Sequence, residues 1–199
     1  MLIVGLNGSP QKNGSTAVLL KEALAEAERL GAETKLIHAA EALKDQKVPF
    51  CYNCSVPCEG KCFAGTKLGD AYEIISNSDG IIFGSPVYFG TVSGQLKAFW
   101  DKTRVLRKEK AFLNVVGAAV SCGAGRFGGQ ETTLNAMFDM MFVQGMTIVS
   151  DGYIDDGCGH HGACAKKPAE DDDFALTRAK VLARRVAEVA EATKGLRKR

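Results

Sequence analysis

The amino-acid sequence predicts an α/β fold in which a doubly wound parallel sheet of five strands lies between two layers of helices. Five short apolar runs alternate along the chain with longer segments that have helical periodicity. Loops rich in Gly, Ser and Pro follow three of these runs, as is common at the carboxyl ends of parallel strands. Because parallel strands need crossover connections, this alternation predicts helices on both faces, and therefore a three-layer arrangement.

The strands are predicted from continuous apolar runs of the kind that are buried on both sides. They are expected at residues 2–6, 33–39, 80–84, 112–120 and 147–154. Helices are expected at residues 15–30, 68–78, 93–104 and 129–144, and a last helix is expected to begin at Pro168. Gly31 and Gly145 are suited to end two of them. The acidic first turn of the last helix, residues 170–173, complements the helix dipole, and its apolar residues recur at helical spacing up to residue 192.

The chain length suits one domain with a full hydrophobic core. All 199 residues are expected to form it, with a cysteine-rich insertion at 48–65 and a Gly-, His- and Cys-containing loop at 155–168. A net charge of +2 argues against nucleic-acid binding. No apolar stretch approaches the roughly 20 residues of a membrane span, and no secretory signal pattern precedes the first strand. A cytoplasmic protein is therefore expected, with a frayed basic tail at 194–199.

The first strand, its loop and the helix that follows predict an anion site. The loop at residues 7–14 is rich in Gly, Asn and Pro, and Ser15 and Thr16 open the helix. Backbone N–H groups at such a helix start can bind a phosphate, with hydroxyl groups from Ser9, Ser15 and Thr16 beside them. Neither G-x-x-x-x-G-K-[ST] nor G-x-G-x-x-G is present, so the pattern favours a flavin mononucleotide over ATP or a dinucleotide. A capped helix after a tight turn is the alternative.

Two further small-residue loops are expected at the same edge of the sheet. The loop after the third strand, residues 85–90, contains two aromatic residues on which a planar ring could stack. The alternative is that Tyr88 and Phe89 pack on the following helix. The loop after the fourth strand, residues 121–131, is glycine-rich and could lie along a flavin, or it could be a loop without a ligand. Cys122 there is expected to be a small apolar side chain rather than a nucleophile.

Three segments resemble the flavodoxin-like NAD(P)H-dependent FMN reductases. They are Asn-Gly-Ser-Pro-Gln-Lys-Asn-Gly-Ser-Thr at 7–16, Gly-Ser-Pro-Val-Tyr-Phe-Gly-Thr-Val-Ser-Gly-Gln-Leu-Lys-Ala-Phe-Trp-Asp-Lys at 84–102, and Gly-Gly-Gln-Glu-Thr-Thr-Leu at 128–134. Within that superfamily, the cysteine-rich segment is similar to that of the iron–sulfur flavoproteins. The resemblance spans nearly the whole chain and implies a flavodoxin-like fold, bound FMN, and a homodimer or a tetramer of dimers.

The resemblance also implies the contacts of the flavin. The phosphate would be held by Ser9, Lys12, Asn13, Ser15 and Thr16. The isoalloxazine would lie along Pro86, Val87, Tyr88, Phe89 and Gly90, and the pocket would be completed by Ser121, Cys122, Gly123 and Gly125. No catalytic side chain is predicted, because the flavin itself carries hydride and single-electron chemistry.

Four cysteines within twelve residues predict a metal centre or a redox site. Cys51, Cys54, Cys58 and Cys62 follow the pattern C-x₂-C-x₃-C-x₃-C. Four thiolates suit a [4Fe–4S] cluster or tetrahedral zinc, and the compact spacing favours the cluster. The iron–sulfur flavoproteins show C-x₂-C-x₂-C and a longer final gap, so this chain departs from their spacing. Zinc binding, free thiols and a redox-active disulfide remain alternatives.

A second cysteine and histidine group lies in the loop after the fifth strand. Cys158, His160, His161 and Cys164 are metal-ligand types, but they are too close in sequence to surround one ion easily. A structural or pocket-lining role is expected, with metal binding as the alternative.

The sequence therefore predicts an FMN-dependent oxidoreductase or electron-transfer flavoprotein. A cluster would exchange single electrons with FMN, and the electron donor would be NAD(P)H or a ferredoxin-like protein. One alternative is an NAD(P)H-dependent FMN or quinone reductase without a cluster. Another is a flavin-binding carrier or regulatory module that turns over no small substrate.

Overall fold

A computed structural model describes residues 1–197 and contains one parallel sheet covered by helices on both faces. The strands are β1 (Leu2–Asn7), β2 (Glu33–His38), β3 (Gly80–Pro86), β4 (Val116–Gly123), β5 (Thr147–Ile148) and β6 (Ala163–Lys166). The helices are α1 (Ser15–Arg29), α2 (Ala39–Ala42), α3 (Lys67–Ser76), α4 (Gly94–Asp101), α5 (Arg104–Lys108), α6 (Gln130–Phe142) and α7 (Asp173–Ala192). No helix within residues 1–197 is long and apolar enough to cross a membrane.

The strand order β2-β1-β3-β4-β5 confirms the doubly wound sheet. All pairings between these strands are parallel. The start of β4 pairs with β5, and the end of β4 pairs with β6. Helices α1 and α7 cover one face, where Leu20 and Leu182 are fully buried. The remaining helices cover the other face, where Phe83, Trp100 and Phe112 form a cluster of aromatic rings. The predicted three-layer arrangement is therefore present.

The fifth strand differs from its predicted range of 147–154. Pairing with β4 stops at Ile148 and resumes at Ala163, so the outer strand position is divided between β5 and β6. The predicted loop at 155–168 therefore contains a strand. Between the two, Asp151 is fully buried and accepts a hydrogen bond from Arg178 Nε on α7 at 2.5 Å. This buried ion pair lies in the segment that leaves the edge of β4, and an apolar pattern alone does not reveal it.

Smaller differences concern the ends of elements. The short helices α2 and α5 were not predicted, the predicted strand at 112–120 begins at Val116, and the helix expected from Pro168 begins at Asp173 after a 3₁₀ turn. The tail was expected to be frayed, but the Arg197 side chain is 4% exposed and its Nε lies 3.3 Å from Asp79 Oδ1. Residues 198 and 199 of that tail lie outside the described residues.

Helices α1 and α7 are joined by a buried carboxylate. Glu26 on α1 is 5% exposed, and its Oε1 accepts a hydrogen bond from Arg184 Nε on α7 at 2.6 Å. Arg29 Nε donates to the other carboxylate oxygen at 2.9 Å. The hydrogen bonds from Arg29 and then Arg184 lower the pKa of Glu26 from 4.5 to about 2, although burial opposes them. The ionised form is therefore bound more favourably in the folded state.

We expect Glu26→Gln to lower the free energy of unfolding at neutral pH by roughly 1–3 kcal/mol, because it removes the negative charge that this buried carboxylate presents to Arg29 and Arg184. Because the folded-state pKa is depressed, the stabilisation is complete above pH 4.5 and is lost as the pH falls toward 2. Urea unfolding of wild type and Glu26→Gln should therefore show a larger difference in the free energy of unfolding at neutral pH than near pH 3. Glu22→Gln is the control, because Glu22 joins the same helices through an exposed pair with Lys180. Equal differences at both pH values would contradict this account.

Candidate functional site

The carboxyl ends of β1, β3 and β4 meet at one edge of the sheet, and hydrogen bonds fix the loops that follow them. Gly8 N donates to Gly84 O at 2.7 Å, and Val87 N donates to Cys122 O at 3.0 Å. A side chain at Gly8 would not fit, because its Cβ would lie 2.7 Å from Leu96 Cβ and 2.9 Å from Gly84 O. The three small-residue loops are therefore brought together, as their placement after parallel strands predicts.

These loops surround an open cavity of about 220 Å³. It is lined by Ser9, Gln11, Ser15, Thr16, Pro86, Val87, Tyr88, Cys122, Gly123, Ala124 and Lys167. A larger cavity of about 360 Å³ lies at the opposite end of the sheet and contains none of the predicted residues. The cavity at the carboxyl edge is therefore the candidate site.

The start of α1 gives this cavity an electropositive side. Gly14 precedes the helix, no side chain caps it, and its first turn contains no acidic residue. The first backbone N–H groups of a helix lack intrahelical acceptors, and together with the helix dipole they favour an anion. Ser15 Oγ accepts a hydrogen bond from Ala169 N at 3.1 Å, and its side chain also hydrogen-bonds with the Cys122 thiol. The local geometry can thus hold a phosphate group.

Eight of the fourteen predicted flavin contacts line the cavity. They are Ser9, Ser15, Thr16, Pro86, Val87, Tyr88, Cys122 and Gly123. The other six do not line it, namely Lys12, Asn13, Phe89, Gly90, Ser121 and Gly125.

Several of these six have other contacts or an unusual environment. Lys12 pairs with Glu41 at 2.8 Å, and Asn13 Oδ1 accepts a hydrogen bond from Lys21. Phe89 is fully exposed with a left-handed φ of 51°, and the buried Ser121 Oγ has no hydrogen-bond partner.

Three lining residues were not predicted, and Lys167 is the most informative of them. Lys167 N donates to Gly123 O at 2.8 Å, which extends the β4–β6 ladder to the cavity. Local patterns carried little signal for it, because the small residues before it have weak strand propensity. Burial raises the pKa of Cys122, although the side-chain hydrogen bond with Ser15 and, more weakly, the charge of Lys167 oppose this effect.

The cysteine segment, defined as residues 51–62, lies between α2 and α3 in a stretch without helix or strand. Its four cysteines are free thiols; Cys54 and Cys62 are exposed, and Cys51 and Cys58 are half-buried. The chain turns at Gly60, whose φ is +70° and whose side-chain position would lie 2.9 Å from Phe63 Cζ. No disulfide is formed in this segment.

Cys62 lies close enough to Cys54 and Cys58 for these thiols to act on one another electrostatically. Burial raises the pKa of Cys62, and the charges of Cys54 and Cys58 raise it further. Burial also raises the pKa of Tyr72, and Cys62, Cys51 and Cys58 add to that effect. Among residues 1–197, however, no three His, Cys, Asp or Glu side chains stand in position to hold one metal ion. The donor type fits a four-thiolate centre, but the thiols as placed do not surround one ion, so ligation would require the segment to close around it.

The second cysteine and histidine group is spread over several contacts and does not line the candidate cavity. His160 Nδ1 lies 3.3 Å from Asp151 Oδ2, and the His161 ring packs edge-on against Phe138. Burial raises the pKa of Cys164 on β6 to about 12. His160, His161 and Cys164 line a separate small cavity of about 40 Å³, which fits the predicted structural or pocket-lining role.

Comparison with known proteins defines the class first. A WrbA-like flavodoxin protein from Agrobacterium tumefaciens has a similar structure, with a TM-score of 0.69 and 20% identity over 96% of this chain and 97% of that one. This likeness shows the flavodoxin-like fold. The family model for NADPH-dependent FMN reductase matches residues 1–160. The chain belongs to that family and is a flavin oxidoreductase.

Two relatives define the branch within the family. An iron–sulfur flavoprotein of Methanocaldococcus jannaschii is 38% identical over 98% of this chain and 100% of its own length. An iron–sulfur flavoprotein of Methanosarcina thermophila is 33% identical over 96% of both chains. The chain therefore lies in the iron–sulfur flavoprotein branch, as its motifs predicted.

Proposed function

We propose that this protein binds FMN in the cavity at the carboxyl edge of the sheet and carries out FMN-dependent electron transfer. The observation that supports this most directly is the composition of the cavity. The loops after β1, β3 and β4 all line it, and the uncapped start of α1 forms one side. A flat ligand that bears a phosphate matches this combination of surfaces.

In the proposed complex, the loop after β1 binds the phosphate and the loop after β3 orients the ring. Ser15 and Thr16 donate hydrogen bonds together with the first amides of α1, and Lys167 adds a positive charge. Pro86, Val87 and Tyr88 give one side of the cavity an apolar and aromatic surface. Bound there, FMN supplies hydride and single-electron transfer, while the protein supplies binding, orientation and exclusion of water.

We further propose that Cys51, Cys54, Cys58 and Cys62 hold a [4Fe–4S] cluster. Four thiols on one segment have the donor type that such a cluster needs, and the relatives named above are iron–sulfur flavoproteins. The cluster would supply single-electron exchange. The role of the segment is to provide four thiolates, with the turn at Gly60 allowing the chain to fold back.

The proposed electron donor is NAD(P)H or a ferredoxin-like protein, and the proposed assembly is a homodimer or a tetramer of dimers. Phe89 and Phe127 support assembly, because both are almost fully exposed on loops that follow β3 and β4. The second candidate is a cluster-free NAD(P)H-linked quinone reductase. A protein of Archaeoglobus fulgidus named NAD(P)H dehydrogenase (quinone) is 40% identical over 60% of this chain and 63% of its own length, which favours that alternative.

Visible spectroscopy and iron analysis of anaerobically purified protein test the proposal. We expect flavin absorption together with a broad shoulder at about 400 nm that bleaches with dithionite. Flavin without iron would favour the quinone reductase, and steady-state NAD(P)H oxidation would then separate an enzyme from a carrier. Failure to bind added FMN would overturn the proposal as a whole.

A further inference from the structure

The side chain of Asn7 organises the loop that follows β1. Asn7 is the last residue of that strand, is fully buried, and pairs in register with His38 at the end of β2. Its Oδ1 accepts a hydrogen bond from Ser9 N at 3.0 Å, and its Nδ2 donates to Gln11 O at 3.3 Å. One buried amide therefore fixes two points of the loop, and both Ser9 and Gln11 line the candidate flavin cavity.

These contacts determine which way the Asn7 amide is turned. Ser9 N can only donate and Gln11 O can only accept, so the amide oxygen faces the former and the amide nitrogen the latter. The second proton of Nδ2 is then available to His38 Nδ1, which lies 2.9 Å away. His38 Nδ1 has to act as an acceptor, which requires a neutral ring with its proton on Nε2.

Protonation of His38 would remove this anchor. An imidazolium carries a proton on Nδ1, so it would place a donor against the Asn7 Nδ2 donor. Turning the amide over would bring its oxygen to His38, but it would also set Nδ2 against Ser9 N. Gln11 O would then lose its contact with Asn7. The arrangement of the loop therefore depends on the neutral form of His38.

The loop carries this arrangement to the start of α1. A side chain at Gly14, the residue before the helix, would lie 2.9 Å from Gln11 Oε1 and 3.2 Å from Gln11 Cβ. Gln11 is thus packed closely on the backbone beside which the FMN phosphate is proposed to bind. A change at Asn7 can therefore reach the phosphate site without contacting the flavin.

The surroundings of His38 favour its neutral form. Burial lowers its pKa most, the charges of Lys12 and Lys21 lower it further, and the charge of Glu41 opposes them. Hydrogen bonds from Lys12 and Lys44 lower the pKa of Glu41 to about 2, so Glu41 stays ionised around neutral pH. Because the folded-state pKa of His38 is lowered from 6.5, the anchor is present at neutral pH and is lost as the pH falls through that lowered value.

We infer that neutral His38 positions the phosphate-binding loop for FMN by holding the Asn7 amide in this one orientation. The inference rests on the proposed function, because the loop can affect FMN affinity only if the phosphate binds beside it. His38 acts through Asn7 and need not contact the flavin. Acid should therefore weaken FMN binding through His38, and it should affect riboflavin much less.

The test compares the FMN and riboflavin affinities of wild type, His38→Leu, His38→Asn and His161→Asn by fluorescence titration. Asparagine at 38 places an oxygen near the position of Nδ1, so it keeps an acceptor for Asn7 but does not titrate. At about pH 8, His38→Leu should lose FMN affinity at least about fivefold while riboflavin affinity stays within about twofold. His38→Asn should remain close to wild type, as should the control His161→Asn, which lies outside the flavin cavity.

The pH profile separates this role from a merely structural one. The FMN phosphate itself takes up a proton near pH ~6, which affects wild type and variants alike. Between about pH 8 and pH 5, wild type should lose at least about fivefold more FMN affinity than His38→Asn. Parallel profiles would overturn the role of His38, and so would tighter FMN binding by wild type in acid, which would mean that the imidazolium attracts the phosphate. A wild-type protein that binds no FMN overturns the proposed function and this role together.

NMR of the flavin-free wild type keeps the test decisive if a variant fails to fold. With only three histidines in the chain, nitrogen-15 labelling gives few ring signals. At neutral pH, His38 Nδ1 should be unprotonated and Nε2 protonated, and the amide signals of Ser9 and Gln11 should shift as His38 titrates. A protonated Nδ1, or loop amides that do not respond to this titration, would overturn the inference and leave FMN binding in place.

Discussion

Replacement of Cys58 by serine is expected to remove most of the iron from the protein. A [4Fe–4S] cluster needs four thiolates, and a serine hydroxyl is a poor substitute for the lost ligand. The same result is expected for the other three cysteines of the segment, with iron content falling roughly tenfold or more in each variant. The measurement is iron per chain after anaerobic reconstitution, together with the visible spectrum.

The chain contains a matched control for this prediction. Cys158 is also an exposed free thiol, but it lies in the loop after β5, and Cys158→Ser should leave the iron content unchanged. Flavin should be retained in every variant, because none of the four cysteines lines the candidate flavin cavity. Full iron content in all four single variants would exclude the segment as the cluster ligand set.

Introduction of a carboxylate at Ser15 is expected to reduce FMN affinity at least about a hundredfold. Ser15→Asp places a negative charge at the first residue of α1, where the phosphate is proposed to bind. The variant should still fold, because acidic residues are favourable in the first turn of a helix. Its carboxylate can also accept the hydrogen bond that Ser15 Oγ receives from Ala169 N.

Riboflavin provides the control for this experiment, because it has the ring but lacks the phosphate. Fluorescence titration of Ser15→Asp should show riboflavin binding within a few-fold of wild type, together with the large loss for FMN. The double variant Ser15→Ala, Thr16→Ala should give a smaller loss that is again selective for FMN, because the backbone amides remain. Equal losses for the two ligands would mean that the phosphate does not bind at the start of α1.

Much of the architecture was predictable because local chain features determine it. Alternating apolar strands and helices give a parallel sheet, and parallel strands bring their following loops to one edge. The loops that carry eight of the contacts implied by the family resemblance therefore line one cavity. The division of the outer strand was not predictable in this way, because β5 and β6 are separate segments that pair with different parts of β4. Lys167 was missed for the same reason, since β6 brings it to the cavity.

The sequence by itself determined the alternation of strands and helices, the small-residue loop between β1 and α1, the four-cysteine donor set and the family. These are encoded in periodicity, glycine placement and short motifs, which act over a few residues. Only the tertiary structure decided which charged groups are buried and what faces them. Arg197 was expected in a frayed tail but is nearly inaccessible beside Asp79, and Lys102 is enclosed beside Gln46 near the cysteine segment. Burial of a charge depends on elements that pack from distant parts of the chain, so a local pattern does not specify it.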